Sequence, residues 1–131
     1  MSENRTPFEP NRFCWNELVA GDPAVARAFY EGVFGWKAEA FGGASHDYTL
    51  FKQGDATIGG MMQCPQPGLP SHWLPYVVVE DLNQTVARAE QLGAKTVLPP
   101  REVPTVGRIA VLVDPQGAAF ALLQPAAPAE G

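Results

Sequence analysis

The sequence contains one pattern twice, and this internal repeat restricts the folds that the chain can adopt. The first copy reads WNELVAGDPAVARAFYEGVFGW and the second reads LPYVVVEDLNQTVARAEQLGA. Asp22 and Asp81 occupy the same place in the two copies, and so do Gly35 and Gly93. We therefore expect two equivalent structural modules in one chain.

Runs of residues that favour strands surround a helical segment in each copy. The predicted strands are 13–19, 37–41, 47–52 and 56–63 in the first copy, and 76–80, 95–98, 108–113 and 118–124 in the second. The sequence thus predicts an α+β fold of two βαβββ modules. Within a single domain over residues 1–131, module 1 covers about 12–63, a proline-rich linker covers 64–73, and module 2 covers about 74–125.

The two predicted helices have recognisable beginnings and ends. Asp22 is a good N-cap and Pro23 suits the first helical position, and Asp81 begins the second helix in the same way. Gly35 and Gly93 are placed to adopt the left-handed conformation that ends a helix. We expect the buried helix faces to consist of the apolar residues at helical spacing, which are Val25, Phe29 and Val33, and Leu82, Val86 and Ala89.

Composition argues against several classes of partner. Nine Lys and Arg against 14 Asp and Glu give a net charge of -5, so we expect binding neither to nucleic acid nor to a membrane surface. No run approaches the roughly 20 apolar residues of a membrane span, and the amino terminus lacks the apolar core of a secretion signal, so we expect a cytoplasmic protein. Cys14 and Cys64 have no CxxC partner, which predicts free thiols.

The run FCWNELVAGDPAVARAFYEGVFGW and the hairpin DPQGAAFALLQ, together with the two modules, resemble the vicinal oxygen chelate superfamily. This superfamily includes glyoxalase I, bleomycin-resistance proteins, methylmalonyl-CoA epimerase and extradiol dioxygenases. The sequence looks most similar to small bacterial glyoxalase-like proteins, through F-x-W-x-E-L near its start and G-R-x-A and D-P-x-G near its end. The resemblance implies curved mixed sheets that enclose a cavity, and a homodimer.

In the metal-dependent members of this superfamily, up to four strand side chains hold a divalent ion. The resemblance places these ligand positions at Trp15, Leu74, Ala121 and either Ile58 or Gly59. None of these residues offers a side-chain oxygen or imidazole nitrogen to a metal. We therefore expect no metal in the customary place and no other cofactor. A displaced site that used Glu17 and His72 would have too few ligands.

Strand alternation places Glu17 on the same face as Trp15, and it places Leu74, Tyr76 and Ala121 on the corresponding faces of module 2. If these faces line the cavity, its wall is mostly apolar, with a carboxylate and a phenol. Such a wall suits a hydrophobic or planar small molecule that has a polar edge.

Glu17 is the sharpest candidate for chemistry, because burial among apolar neighbours raises the pKa of a carboxyl and suits it to general acid or base catalysis. The alternatives are a hydrogen bond to a ligand, or a structural role, either in an ion pair with an arginine such as Arg108 or near an open rim where water satisfies the carboxylate. Trp15 is either a stacking platform for a flat ligand or a plug that fills the space of the missing metal. His72 in the linker and Arg108, as a clamp for an acidic group or a structural pair, complete the candidate set.

The predicted ligand-binding residues are Trp15, Glu17, Leu74, Tyr76, Ala121, His72 and Arg108, with Glu17 as the catalytic candidate. The first functional hypothesis is a metal-free protein that binds a small apolar or aromatic molecule. The alternatives are a metal-independent isomerase, cyclase or lyase that uses Glu17, a metal-dependent lyase or dioxygenase, and an accessory dimerisation module whose cavity is filled by side chains.

Overall fold

A computed structural model describes residues 9–41, 48–65, 68–104 and 106–126. The chain divides into two compact units, one formed by Trp15–Leu74 and the other by the residues up to Cys14 together with those from Pro75 onward. The elements in chain order are β1 (Phe13–Ala20), α1 (Pro23–Phe34), β2 (Lys37–Ala40), β3 (Tyr48–Gln53), β4 (Ala56–Gln63), β5 (His72–Val78), α2 (Leu82–Gln91), β6 (Lys95–Val103), β7 (Gly107–Val113) and β8 (Ala119–Pro125). This order is the predicted βαβββ pattern, present twice.

The strands of the two copies pair in the same way. In the first copy the order is β2-β3-β4-β1, with β1 parallel to β4 and the other neighbours antiparallel. In the second copy the order is β6-β7-β8-β5, with β5 parallel to β8 and the other neighbours antiparallel. The internal repeat of the sequence is therefore a repeat of topology, and the predicted α+β class is confirmed.

Both helices begin and end where the sequence predicts. The Asp22 carboxylate accepts a hydrogen bond from the backbone N–H of Val25, the third residue of α1, at 3.3 Å. The Asp81 carboxylate accepts one from the backbone N–H of Gln84, the third residue of α2, at 3.0 Å. Gly35 and Gly93 follow the helices with φ of 77° and 106°, which is the left-handed region. At 12 and 10 residues, neither of these described helices is long and apolar enough to cross a membrane.

The prediction for the buried face of α1 was wrong, whereas that for α2 held at Leu82 and Val86, which are buried. Val25, Phe29 and Val33 are 64%, 57% and 54% exposed. The helix instead packs against its sheet through a neighbouring row that contains Ala26 and Tyr30. Two apolar rows lie side by side on α1, and the Tyr30 ring contacts Trp36, which precedes β2, and Phe51 of β3.

Two element boundaries differ from the sequence prediction by four residues or more. β5 begins at His72, so His72 and Trp73 belong to a strand and not to the linker. β6 continues through Pro99 and Pro100 to Val103, whereas the predicted strand ended at Leu98. β6 pairs with β7 alone, and register shifts on both sides of Leu98 accommodate the prolines, which a strand at the end of a sheet tolerates.

Candidate functional site

Trp15, Tyr48 and Glu17 form a hydrogen-bonded row, called the polar row below, in the Trp15–Leu74 unit. Trp15 and Glu17 lie on β1, and Tyr48 is the first residue of β3. The Trp15 indole Nε1–H donates to the Tyr48 hydroxyl oxygen at 3.0 Å, and the Tyr48 hydroxyl donates to Glu17 Oε1 at 2.9 Å. An indole N–H can only donate, so the Tyr48 proton is directed to the carboxylate and the order of donation is fixed.

The polar row lies on the face of the sheet that is turned away from α1. Leu18 and Ala20, which alternate with Trp15 and Glu17 along β1, pack in the core cluster that includes α1 residues. Because successive strand residues point to opposite faces, this packing turns Glu17 and Trp15 to the other face, as the sequence predicts.

Glu17 is a carboxylate inside the protein. Its side chain is 5% exposed, and among the residues that the structure describes it is the one charged residue that is buried. Removing a carboxylate from water is costly unless hydrogen bonds replace its hydration, and the Tyr48 hydroxyl supplies such a bond. This burial contradicts the predicted alternative in which water at an open rim satisfies Glu17.

Tyr48 occupies its place because residue 60 is glycine. Glu17 pairs with Gly60 in the parallel register of β1 and β4, and a Cβ at Gly60 would overlap the Tyr48 ring and hydroxyl. The sequence alone leaves the facing of Tyr48 open, because that facing depends on the hairpin register. The signal that could have found it is the glycine pair Gly59–Gly60 inside a strand, which often marks a close approach of another group.

Three predicted site residues are buried. Tyr76 is 7% exposed, and it pairs in parallel register with Ala121, which is fully buried. Both belong to the unit that includes the residues from Pro75 onward. Both lie on the face turned away from α2, because Val77 and Leu122, their neighbours in sequence, pack against that helix. Leu74 is 4% exposed and lies in the other unit.

His72 and Arg108 make local hydrogen bonds. His72 Nδ1 lies 2.9 Å from the backbone oxygen of Pro70, so its ring is held by its own segment of chain. The Arg108 guanidinium donates to the side-chain oxygen of Asn83 at 3.1 Å, which links β7 to the first turn of α2. The structure thus links Trp15 and Glu17 through Tyr48, whereas His72 and Arg108 have other partners.

The strand register corrects one of the four positions that the resemblance assigned to metal ligands. Glu17 in module 1 is the counterpart of Tyr76 in module 2. Since Tyr76 pairs with Ala121 and Glu17 pairs with Gly60, the counterpart of Ala121 is Gly60. The fourth ligand position is therefore Gly60 and not Ile58 or Gly59. Glycine has no donor atom on its side chain. Across residues 9–41, 48–65, 68–104 and 106–126, no three His, Cys, Asp or Glu side chains group closely enough to hold a metal ion. The residues at the customary site do not fit a divalent metal.

A second aromatic feature lies on the α1 side of the same sheet. Tyr30 stacks on Trp36 with ring centroids 5.6 Å apart, and Trp73 meets both rings edge-on. An open groove of about 340 Å³ runs beside Trp36, Phe51 and Trp73. Two of the chain's three tryptophans therefore belong to this cluster, and Trp15 belongs to the polar row.

The sequence matches the family of the glyoxalase-like domain over residues 13–123. The chain belongs to the glyoxalase-like domain family. The CFP32 protein of Mycobacterium tuberculosis is 44% identical to it over 119 residues, which are 90% of this chain and 46% of that protein. The anthracycline biosynthesis protein DnrV of Streptomyces peucetius is 30% identical over 132 residues, which are 89% of this chain and 48% of that protein.

This glyoxalase-like chain also shares its fold with methylmalonyl-CoA epimerase from M. tuberculosis. The TM-score is 0.62 at 15% identity, and the match covers 95% of each chain. Identity at this level shows the fold alone. The family match and the fold confirm membership of the vicinal oxygen chelate superfamily. The chain spans about half the length of the curated relatives that it matches.

Proposed function

We propose that this glyoxalase-like chain binds a flat, largely aromatic small molecule without the divalent metal of the superfamily's metal-dependent members. The observation that carries the proposal is the polar row, in which a carboxylate that is 5% exposed is held by Tyr48 beside an indole ring. The Trp15 ring offers a surface for stacking, and the Glu17 carboxylate offers an acceptor for a hydroxyl or ammonium group of a ligand.

The polar row holds its members in fixed orientations before any ligand binds. The hydrogen bond from Trp15 to Tyr48 orients the indole, and the hydrogen bond from Tyr48 orients the carboxylate. Fixed groups lose little conformational entropy on binding, which favours affinity.

The name of one relative supports an aromatic ligand. DnrV is named for anthracycline biosynthesis, and anthracyclines are flat polycyclic molecules with hydroxyl groups at their edges. A ligand of this shape matches a stacking ring beside a buried acceptor.

A tryptophan-specific titration tests the proposal. In a Trp36→Phe, Trp73→Phe background, Trp15 is the remaining tryptophan, and its fluorescence reports on the polar row. We expect 1,4-dihydroxyanthraquinone to quench it with a micromolar or tighter Kd, and we expect the same Kd in EDTA. Glu17→Gln should weaken binding by roughly 10-fold or more, since a hydrogen bond to a charged group is lost.

The matched control is Glu39→Gln. Glu39 lies on β2, where its exposed side chain is 3.7 Å from Lys52 Nζ, so this variant removes the same charge away from the polar row. Binding that disappears in EDTA, or that Glu39→Gln weakens as much as Glu17→Gln, contradicts the proposal.

The hydrogen bond between Tyr48 and Glu17 favours a second candidate, a metal-independent isomerase, cyclase or lyase in which Glu17 moves a proton. Native mass spectrometry of protein purified without chelator would identify a retained small molecule. Incubation of that molecule with the protein in D₂O then separates the two functions. Deuterium incorporation or turnover that survives EDTA and is lost in Glu17→Gln supports catalysis, and recovery of the unchanged molecule supports binding.

A further inference from the structure

The exposed face of α1 carries a row of large apolar side chains. Val25, Phe29 and Val33, called the α1 ridge, are 64%, 57% and 54% exposed, and no residue of this helix is buried. The packing of α1 on its own sheet uses Ala26 and Tyr30 instead. Large contiguous apolar patches on a protein surface mark interaction sites.

The internal repeat provides a comparison for the α1 ridge. Because Asp22 and Asp81 cap equivalent positions, Val25 corresponds to Gln84 and Phe29 corresponds to Arg88. Both Gln84 and Arg88 are exposed polar residues on α2. A βαβββ module of this chain therefore folds with polar residues at these two positions, so the fold does not require Val25 and Phe29 to be apolar.

The α1 ridge is symmetric about Phe29. It reads Val, Phe, Val at intervals of four residues, so the same side chains occur in the same order from either end. A two-fold axis through Phe29 would place Phe29 against its copy and Val25 against Val33 of the second chain. Such self-complementarity is what an interface between two identical subunits requires. Ridges of i±4 spacing also pack into one another at the commonest helix crossing angle.

The charges beside the α1 ridge do not oppose self-association. Arg27 and Glu31 lie on the same helix and pair with each other, with Nε and Oε2 3.3 Å apart. The helix PAVARAFYEGVF contains one residue of each sign, so the net charge of -5 of the chain is carried elsewhere. Two copies can therefore approach through this face without bringing unbalanced like charges together.

The length of the relatives also supports pairing with a second copy of this chain. The aligned region makes up 46% of CFP32 and 48% of DnrV, so each of those chains contains about as much sequence again. A second copy of this chain would bring the assembly to a similar size.

The family resemblance implies a homodimer, and we propose that the α1 ridge is its contact surface, with two antiparallel α1 helices paired about a two-fold axis at Phe29. The interface places the Phe29 rings at its centre, where truncation of an aromatic side chain has its largest effect on affinity. The proposal does not depend on the ligand or on the polar row.

Sedimentation velocity over a range of protein concentrations tests the pairing. We expect a dimer for the wild-type chain and a dimer dissociation constant raised roughly 30-fold or more in Phe29→Glu. Arg88→Glu is the matched control, because it introduces the same side chain at the equivalent position of α2, and we expect no change in the dissociation constant. Circular dichroism checks that each variant is folded.

Two further experiments separate a lost interface from a damaged fold. Mixing Phe29→Glu with Phe29→Lys should restore a dimer, since opposite charges then meet at the axis. In a Cys14→Ser, Cys64→Ser background with copper phenanthroline added as the oxidant, Phe29→Cys should form an intermolecular disulfide and Arg88→Cys should not. A monomeric wild-type chain, a dimer that Phe29→Glu leaves intact, or a dimeric Phe29→Cys variant that does not cross-link would overturn the proposal.

Discussion

The Tyr48 ring lies over Gly60, where a single added carbon would occupy the position of the phenol. Tyr48 joins Trp15 to Glu17, so the identity of residue 60 determines whether the polar row can form. A residue with no side chain thus sets the geometry of the candidate site.

We expect Gly60→Ala to destabilise the protein by about 1–3 kcal/mol, because the new methyl group must displace a packed ring. Movement of the ring also breaks the hydrogen bonds of Tyr48 with Trp15 and Glu17. Urea unfolding measures the change in free energy, and near-ultraviolet circular dichroism reports on the Trp15 environment. A variant with wild-type stability would show that Tyr48 is not confined by Gly60.

Tyr48→Phe removes the hydroxyl and keeps the ring. We expect a loss of about 1–3 kcal/mol in the free energy of unfolding, because the buried Glu17 carboxylate loses a hydrogen-bond donor. Tyr30→Phe is the control. It removes a hydroxyl that accepts from the Trp73 indole at an exposed site, at 3.1 Å, where water can replace the bond. Equal losses in the two variants, measured by urea unfolding, would show that burial of Glu17 adds nothing to the cost.

Gly32→Ala should stabilise the protein by about 0.5–1 kcal/mol. Gly32 is inside α1, and a Cβ there would meet no atom within 4 Å, so alanine restricts the unfolded chain without a steric cost. Gly35→Ala is the matched opposite, because Gly35 has a φ of 77°, and we expect it to cost about 1–2 kcal/mol. Thermal unfolding measures both changes, and we expect the Tm to rise in Gly32→Ala and to fall in Gly35→Ala.

Asp114 should make stability depend on pH in acid. Hydrogen bonds from the backbone amides of Ala118 and Gln116 hold the pKa of its carboxyl below the ordinary value of 3.8. Because the pKa is lowered on folding, the charged carboxylate stabilises the fold above the unfolded pKa, and this contribution is lost as pH falls through the folded pKa.

Asp114→Asn keeps an acceptor oxygen in the turn and removes the charge. We expect the difference in unfolding free energy between wild type and variant to be constant above about pH 5 and to shrink as the pH falls below about 4. Urea unfolding at a series of pH values measures this difference. A difference that grows in acid would mean that the carboxylate is destabilising in the folded protein.

The sequence predicted the repeat, the caps and most strands because these depend on local chemistry. Asp22 and Asp81 cap helices through amides three residues away, and Gly35 ends α1 because it tolerates positive φ. Alternation along β1 placed Trp15 and Glu17 on one face. Each of these features is set by neighbours in the chain, so a single sequence contains the information.

Tertiary structure decided which apolar row of α1 is buried and which residue completes the polar row. Val25 and Tyr30 lie in adjacent rows of one helix, and the packing of the Tyr30 ring against Trp36 and Phe51 turns the α1 ridge outward. Tyr48 meets Glu17 because β3 pairs Tyr48 with Met62, two residues from Gly60 on the same face of β4, and β1 pairs Glu17 with Gly60. The Tyr48 ring then lies over Gly60. Contacts between residues more than 30 positions apart depend on strand register and packing, which local periodicity does not specify.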